Sequence, residues 1–490
     1  MIRRLYTRHC PNVCQMPASS LHAPNVFQHL FMTMKIIILG AGRVGSSVAE
    51  NLADEANDIT VVDENTELLQ ELQDRLDIRT IVGHGAHPDI LAQAGAKEAE
   101  LVLAVTNSDE TNMIACQIAH TLFQTPTKIA RVRAAAYLDY PNLFDPGSVP
   151  IDVLISPEEI VTAYIQRLIK TPGALQVLRF AGEKISLVAV KAYYGGPLVG
   201  HELRALPSYM PGVDTRVVAI YRQGQAIIPQ GSTTVEADDE VFFIAASENV
   251  QAVMGSLRKL DEPVKRIMIA GGGNIGTRLA TALEANYQVK IIDRDEKTSR
   301  ILSEKLAKTI VLRGDAADED LLREESIDKT DVFCAVTSDD QVNILSAMLA
   351  KRMGAAKVMA LINRSAYVDI VENTMIDIAI SPQHATIGAL LTHVRQADVV
   401  VVHSLRRGAA EAIEAITHGD SNTSKVIGKA VEDIPLPPDT TIGAIVRNEE
   451  VIIAHHDTVI HGEDHVILFL VDKKYVSDVE KLFQVDVTFL

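Results

Sequence analysis

The chain has 490 residues, a length that allows several domains and excludes a single small module. Its 47% hydrophobic and 22% charged residues are typical of a folded globular protein and exclude a disordered or fibrous one. With 46 Lys and Arg against 64 Asp and Glu, the net charge of -18 disfavours nucleic acid and bare anionic lipid as partners, because both are negatively charged.

The apolar runs and the cysteines indicate the compartment. No run of apolar residues approaches the eighteen that a membrane-spanning helix needs. Four Cys are too few for a disulfide framework, and Cys116 and Cys334 lie inside apolar patterns typical of buried residues. We therefore expect a protein of a reducing cytoplasm that does not cross a membrane.

Residues 1–33 differ in composition from the rest of the chain. They contain Arg3, Arg4 and Arg8 and no acidic residue, and they precede a clean apolar strand. This composition also occurs in transit peptides, and no apolar stretch suits a signal peptide. We expect an atypical N-terminal extension, translated from a start site upstream of a functional Met34.

From Met34 onward the sequence repeats itself at an offset of about 230 residues. Residues 35–45 return as residues 266–276, and residues 101–106 return as residues 332–337. Short β-branched runs alternate with helical periodicity in both copies, which predicts βαβ units and a parallel sheet. A stretch of short strands and turns follows each copy. The predicted fold class is α/β, with two Rossmann-like, doubly wound parallel-sheet lobes, each followed by a small α+β unit.

A glycine-rich loop of the GxGxxG type follows the first strand of each lobe and opens a helix. Its first glycine permits a tight turn, its second leaves room for a pyrophosphate, and its third lets helix and strand pack closely. An alternative, in which the glycines serve packing only, stays open from the sequence. The candidate nucleotide-binding residues of the two loops are Gly40, Ala41, Gly42, Arg43, Val44, Gly45 and Gly271, Gly272, Gly273, Asn274, Ile275, Gly276.

An acidic residue ends the second strand of each lobe, about 22 residues after the first glycine. These residues, Asp63 and Asp293, have carboxylates that can accept hydrogen bonds from both hydroxyls of an adenine ribose. A 2′-phosphate would be repelled there, so the pattern favours NAD over NADP.

Small polar residues end the fourth strand of each lobe, at the sheet edge where doubly wound folds bind ligands. Thr106, Asn107 and Thr337 either line the pyrophosphate and ribose or belong to caps of the helices that begin near Glu110 and Gln341. Residues 83–86 and 314–316 follow the third strands and should lie near the adenine, and Asp315 is a further candidate ligand.

A predicted helix joins each lobe to its small unit. In the first copy, Ser156 to Glu159 form a capping box in which the Glu159 carboxylate reaches back to the Ser156 amide. An apolar stripe follows, and the second copy has its counterpart. The helix either faces the core of its own lobe or crosses onto the other lobe. The stripe residues are Val161, Tyr164, Ile165, Leu168 and Ile169, with Ile387, Leu390, Leu391 and Val394 in the second copy.

No catalytic constellation accompanies these motifs. A dehydrogenase needs an acid or base beside the nicotinamide, and neither small unit supplies one. His455, His456, His461 and His465 lack metal-ligand spacing and fit a solvated hairpin. We therefore predict a protein that is not an enzyme and has no metal site, with a two-dinucleotide-domain oxidoreductase, either flavoprotein or NAD-dependent, as the alternative.

Residues 40–45, 104–112, 236–243 and 314–317 resemble motifs of the RCK (KTN) family, in its tandem form found in cytoplasmic NAD-binding subunits of Trk potassium uptake systems. The resemblance covers residues 34–490. Three features depart from the family pattern: the extension before Met34, His84 in place of the usual aspartate, and Arg294 beside Asp293. The implied division is residues 34–156 and 264–382 as RCK N-terminal (Rossmann) domains, and residues 174–260 and 399–486 as RCK C-terminal (TrkA-C) domains.

The resemblance also implies a function. It implies a regulatory subunit that binds NAD+ or NADH, with ATP and ADP as further ligands, and that gates a separate K+-translocating subunit of the TrkH/TrkG type. It further implies a peripheral protein at the cytoplasmic face of the inner (plasma) membrane and a homotetramer. No nucleic acid partner is expected.

Overall fold

The computed structural model describes residues 34–53, 57–145, 147–371, 374–394, 399–405 and 410–484. The predictions for residues 1–33 and for residues 485–486 lie outside these ranges. Within the described parts, no helix is both long and apolar enough to cross a membrane.

The first lobe is a six-stranded parallel sheet with the strand order β3-β2-β1-β4-β5-β6. Its central strands are buried on both faces, which explains why they read as continuous apolar runs in the sequence. The strands are β1 (Lys35–Leu39), β2 (Asp58–Asp63), β3 (Arg79–Val82), β4 (Leu101–Ala104), β5 (Thr127–Arg131) and β6 (Val153–Ile155). The helices are α1 (Arg43–Ala53), α2 (Thr66–Gln73), α3 (Pro88–Gln93), α4 (Asp109–Ile118), α5 (Ala135–Leu138) and α6 (Pro157–Lys170).

The second lobe repeats this sheet with the order β14-β13-β12-β15-β16-β17. Its strands are β12 (Arg266–Ala270), β13 (Gln288–Asp293), β14 (Ile310–Arg313), β15 (Val332–Ala335), β16 (Lys357–Leu361) and β17 (Ile378–Ile380). Its helices are α9 (Asn274–Leu283), α10 (Glu296–Lys305), α11 (Glu319–Glu324), α12 (Asp340–Arg352), α13 (Ser365–Val371) and α14 (Pro382–Leu391). In each sheet the strand order reverses next to the first strand, between β1 and β4 and between β12 and β15, and this confirms the predicted doubly wound class.

Each small unit is a five-stranded antiparallel sheet, in the orders β10-β9-β11-β8-β7 and β18-β19-β22-β20-β21. The first contains β7 (Ala174–Phe180), β8 (Ile185–Lys191), β9 (Thr215–Arg222), β10 (Gln225–Ile227) and β11 (Glu240–Ala246), with helices α7 (Leu206–Tyr209) and α8 (Val250–Leu257). The second contains β18 (Val399–Leu405), β19 (Ala410–Ile416), β20 (Thr440–Arg447), β21 (Glu450–Ile453) and β22 (His465–Leu470), with helix α15 (Val476–Phe483).

Helices α6 and α14 are exchanged between the lobes. Helix α6 packs against α9 of the second lobe, and its Ile165 and Leu168 belong to one apolar cluster with Leu279 and Leu283 of α9. In return α14 packs against α1 of the first lobe, and its Leu390 shares an apolar cluster with Val48 of α1. Of the two interpretations of the stripe, the crossing helix is therefore correct.

The predicted capping box at the start of α6 forms only in part. The Ser156 hydroxyl accepts a hydrogen bond from the Glu159 amide at 3.4 Å, as predicted. The Glu159 carboxylate, however, accepts from the Arg278 guanidinium of the second lobe at 2.7 Å. The expectation that it reaches back to Ser156 is wrong, because the crossing of α6 brings a charged partner within reach.

The two small units pack their sheets face to face. The rings of Phe242 and Phe469 meet with centroids 5.9 Å apart, inside one apolar cluster that includes residues of both sheets. His403 is half-buried at this contact, edge-on to Phe180, and the loss of solvation there lowers its pKa to about 4. The chain therefore buries an interface between its own two repeats at the small units as well as at the exchanged helices.

Candidate functional site

The two glycine loops have the same backbone geometry. Gly40 and Gly271 both adopt φ = +108°, a conformation that an L side chain rarely reaches. A Cβ built on Gly45 would lie 1.8 Å from the Gly40 carbonyl oxygen, and one on Gly276 would lie 1.8 Å from the Gly271 oxygen. These glycines are therefore required by the turn itself and by the packing of helix on strand.

The middle glycines have a different environment. A Cβ on Gly42 or Gly273 would meet no protein atom within 4 Å. Packing does not require glycine at either position, so the packing-only interpretation does not explain them. Open space at the start of a helix is where a pyrophosphate can approach the backbone amides.

The two acidic residues hold the loops. The Asp63 carboxylate accepts hydrogen bonds from the amides of Ala41 at 2.6 Å and Asn65 at 2.8 Å. Asp293 accepts in the same way from Gly272 at 2.6 Å and Asp295 at 2.8 Å. An ionised carboxylate has about four acceptor positions, so each retains capacity for ribose hydroxyls.

At the fourth strand the two predicted roles fall on different residues. Ser108 and Asp339 cap α4 and α12 through their side chains. Thr106 and Thr337 instead lie against the glycine turn, since their atoms are the nearest neighbours of a Cβ built on Gly40 or Gly271. Both threonines, with Asn107, line the clefts described below.

Two buried asparagines were missed by the sequence analysis. Asn112 accepts from the Thr106 hydroxyl at 2.7 Å and donates to the Arg131 carbonyl at 2.9 Å. Asn343 makes the same bonds to Thr337 and to the Leu361 carbonyl. They fix the threonines at the sheet edge. Their recurrence in both repeats, one turn into each helix, was the available signal.

The first cleft is a cavity of about 780 Å³ around the first glycine loop. Its own lobe supplies Gly40, Gly42, Arg43, Val44, Asp63, His84, Thr106 and Asn107. The second lobe closes it with Asn363 and with Pro382, Gln383 and Thr386 from the start of α14.

The second cleft is larger, about 1030 Å³, and is closed in the reciprocal way. Its own lobe supplies Gly271, Gly272, Gly273, Asn274, Asp293, Asp315 and Thr337. The first lobe contributes Arg133, Asp139 and residues of α6, among them Glu159 with its ion pair to Arg278. Four of the predicted residues do not line either cleft: Ala41, Gly45, Ile275 and Gly276.

The charges of the two clefts differ. In the first, Arg131 ends β5 with its Nε buried and without a hydrogen-bond partner. Burial lowers the pKa of Arg131, and Glu158 opposes this shift. At the equivalent of Arg43 the second loop has Asn274, and at the equivalent of His84 it has Asp315. At these two loop positions the first cleft thus has an arginine and a histidine where the second has an amide and a carboxylate, while Arg133, Arg278, Arg294 and Lys305 line the second cleft elsewhere.

The four histidines of the last unit do not lie on the predicted hairpin, because β21 and β22 both pair with β20 and not with each other. His455 lies 3.2 Å from Asp214, and His465 lies 2.7 Å from the buried Glu414. Across the described residues there is no group of three or more His, Cys, Asp or Glu side chains that could hold a metal ion. The thiols of Cys116 and Cys334 are buried, which raises the pKa of each to about 12.

Family comparison divides the chain in the same alternating order. The TrkA-N domain model matches residues 36–157 and 267–382. The TrkA-C domain model matches residues 187–258 and 421–484.

Full-length relatives are similar to most of the chain. It is 63% identical over 458 residues to the Trk system potassium uptake protein TrkA of Vibrio alginolyticus, covering 93% of this chain and 100% of that protein. It is 62% identical over 456 residues to the protein of the same name from Halomonas elongata, with the same coverage.

Solved structures share the fold at low identity. The GsuK RCK domain aligns with a TM-score of 0.58 at 18% identity, covering 92% of this chain and 95% of that one. The GsuK channel bound to NAD aligns with a TM-score of 0.57 at 17% identity, covering 92% and 79%. At this identity the likeness concerns the tandem fold alone.

Proposed function

The chain belongs to the TrkA family of Trk potassium uptake proteins, and on this premise we propose that it is the regulatory, nucleotide-binding subunit of a Trk-type potassium uptake system. Its ligands are NAD+ and NADH, with ATP and ADP as further ligands. Its partner is a separate K+-translocating membrane subunit of the TrkH/TrkG type. The role is regulatory and not enzymatic.

The observation that carries the proposal is the reciprocal closure of the clefts. Each glycine loop faces residues of the opposite lobe, which arrive on or beside the exchanged helices α6 and α14. A nucleotide in either cleft therefore touches both lobes. A ligand that prefers one lobe arrangement shifts the equilibrium by its difference in affinity for the two arrangements.

Docking on the membrane partner follows from charge. Cytoplasmic loops of membrane proteins are enriched in Lys and Arg, whereas the lipid surface is anionic. A chain with a net charge of -18 is attracted by the first and repelled by the second. We propose a peripheral location at the cytoplasmic face of the membrane, reached through the transporter and not through lipid.

We further propose that four chains assemble into a ring. Two similar lobes in one chain provide two similar interfaces. Chains joined through such interfaces form a closed ring when the rotation from each chain to the next adds up to a full turn. We propose residues 34–156 and 264–382 as the nucleotide-binding domains. We propose residues 174–260 and 399–486 as the domains that pair with each other. Light scattering that shows a monomer at micromolar concentration would contradict this part.

One experiment tests the central claim. The purified protein is titrated by calorimetry with NAD+, NADH, ATP and ADP, and K+ uptake is then measured in proteoliposomes that hold the transporter. We expect saturable nucleotide binding and an uptake rate that changes with nucleotide only when the protein is present. A K+ uptake rate that is the same with and without the protein and with and without nucleotide would overturn the regulatory role. Steady NADH consumption by the pure protein would instead support the oxidoreductase alternative.

A further inference from the structure

A third cavity lies away from both glycine loops. It has a volume of about 600 Å³ and forms where β17, α6, α14 and the sheet of the first small unit meet. We call it the junction cavity. Most of its wall is aliphatic or aromatic, with Leu175, Leu178, Phe242, Val371, Ile376 and Ile378 among the lining residues. Size and lining are those of a small-molecule site.

One cation in this wall has a buried nitrogen without a hydrogen-bond partner. Arg167 of α6 lines the cavity, and its Nε is buried without a hydrogen-bond partner. Burial lowers the pKa of Arg167, but a guanidinium stays charged at any physiological pH. A buried charged donor without an acceptor is unfavourable, so the site favours an anion that supplies one.

The other ionisable groups of the wall are neutral or already paired. Burial lowers the pKa of His384, His393 and His403 and raises the pKa of Tyr164 to about 12, so none carries charge near pH 7. Asp377 is held by Lys351 at 2.8 Å and by the Val358 amide at 2.7 Å. Glu240 also has a partner.

We propose that the junction cavity binds an amphiphilic anion, whose carboxylate or phosphate monoester head pairs with Arg167 and whose aliphatic body lies along the apolar wall. Both head groups, although one is planar and the other tetrahedral, offer two oxygen acceptors that a guanidinium can bind in a bidentate way. A ligand in the junction cavity contacts both exchanged helices, so its binding can change how the two lobes pack against each other.

The test uses decanoate as the probe, below its micelle-forming concentration, with calorimetry on the full-length protein. Decanol keeps the chain without the charge, acetate keeps the charge without the chain, and decyl phosphate changes the head. We expect one decanoate per chain. We expect decanol to bind at least about tenfold more weakly because it loses the charge-assisted hydrogen bond. We expect acetate to bind at least about tenfold more weakly because it loses the burial of the apolar chain. The tighter of decanoate and decyl phosphate identifies the preferred head.

Arg167→Met should weaken decanoate binding about tenfold or more, and Arg167→Lys should retain part of the affinity. Arg179→Met is the matched control, because Arg179 bonds Ser186 at 2.8 Å and is not among the lining residues. Unchanged NAD binding by Arg167→Met shows that the variant is folded. No decanoate binding by the wild type, or equal binding by Arg167→Met, would overturn the proposal. If the wild type binds no decanoate and Arg167→Met changes the oligomeric mass, the cavity belongs to a contact between chains. That result would also overturn the proposal.

Discussion

The sharpest prediction concerns Gly42→Asp in the first glycine loop. A side chain at this position meets no protein atom within 4 Å of its Cβ, and the backbone does not need positive φ there. The fold should therefore accept the substitution. In the bound state, however, the new carboxylate would stand against the pyrophosphate.

The size of the effect follows from Coulomb's law. Two unit charges about 4 Å apart repel by about 4 kcal/mol at an effective dielectric constant of about 20. This corresponds to a loss of about a thousandfold in affinity, since each 1.4 kcal/mol is about tenfold. Calorimetry with NAD should show the first-lobe site lost, and K+ uptake should lose the response that this site provides.

Three variants make the result interpretable. Gly231→Asp adds the same charge at an exposed position of the first small unit and should leave NAD binding unchanged. Gly273→Asp should remove the second-lobe site only. Gly45→Ala should instead destabilise the fold by about 1–3 kcal/mol or more, because its Cβ would lie 1.8 Å from a carbonyl oxygen. If Gly42→Asp binds NAD with wild-type affinity and stoichiometry, the pyrophosphate is not at this loop.

Three further outcomes are expected. Asp63→Ala should weaken NAD binding by about 1–3 kcal/mol in calorimetry, because ribose hydroxyls lose their acceptor, and an unchanged dissociation constant would contradict this assignment. Burial lowers the pKa of Lys357 from 10.5 to about 8, so between these pH values the unfolded chain binds a proton that the folded chain does not. Stability should therefore rise through this window in the wild type relative to Lys357→Met, and parallel urea midpoints would contradict it. Asp464→Asn should lower the free energy of unfolding by about 3–5 kcal/mol, because Asp464 is buried and paired twice with Arg447 at 2.8 Å. A urea denaturation that moves by less than about 1 kcal/mol would contradict that role.

Local chemistry made the lobes readable from the sequence. The glycine spacing, the aspartates at the ends of β2 and β13, and the polar caps all act within one βαβ unit. These motifs could therefore be predicted from the sequence, because each depends only on the geometry of neighbouring residues.

Strands in the small units were harder to read. The sequence of β19, Ala-Glu-Ala-Ile-Glu-Ala-Ile, is rich in helix formers, yet it is a buried strand. Glu414 lies inside that strand because His465 and the Ala181 amide both bond its carboxylate. β7 is similar, with Gln176 and Arg179 interrupting its apolar pattern. Partners distant in the sequence decide these elements, so propensity alone cannot.

The partner of α6 was beyond sequence reasoning for the same reason. An apolar stripe indicates that one face of a helix packs against other residues, but it does not indicate which lobe supplies those residues. The position of Glu159 beside Arg278 depends on that choice.

Because of the helix exchange, one sequence repeat alone is not a complete structural half of this protein. A chain cut between the repeats, near residue 262, would yield a first fragment that carries α6, whose apolar face fits α9, and that lacks α14, which covers α1. Neither fragment would be a complete folding unit, and each would seek the other or a second copy of itself. The tandem chain is in this sense a symmetric pair joined covalently, with the two repeats held at a high effective concentration. Because the two repeats lie in one chain, their clefts need not be identical, and they differ at equivalent positions, with Arg43 against Asn274 and His84 against Asp315.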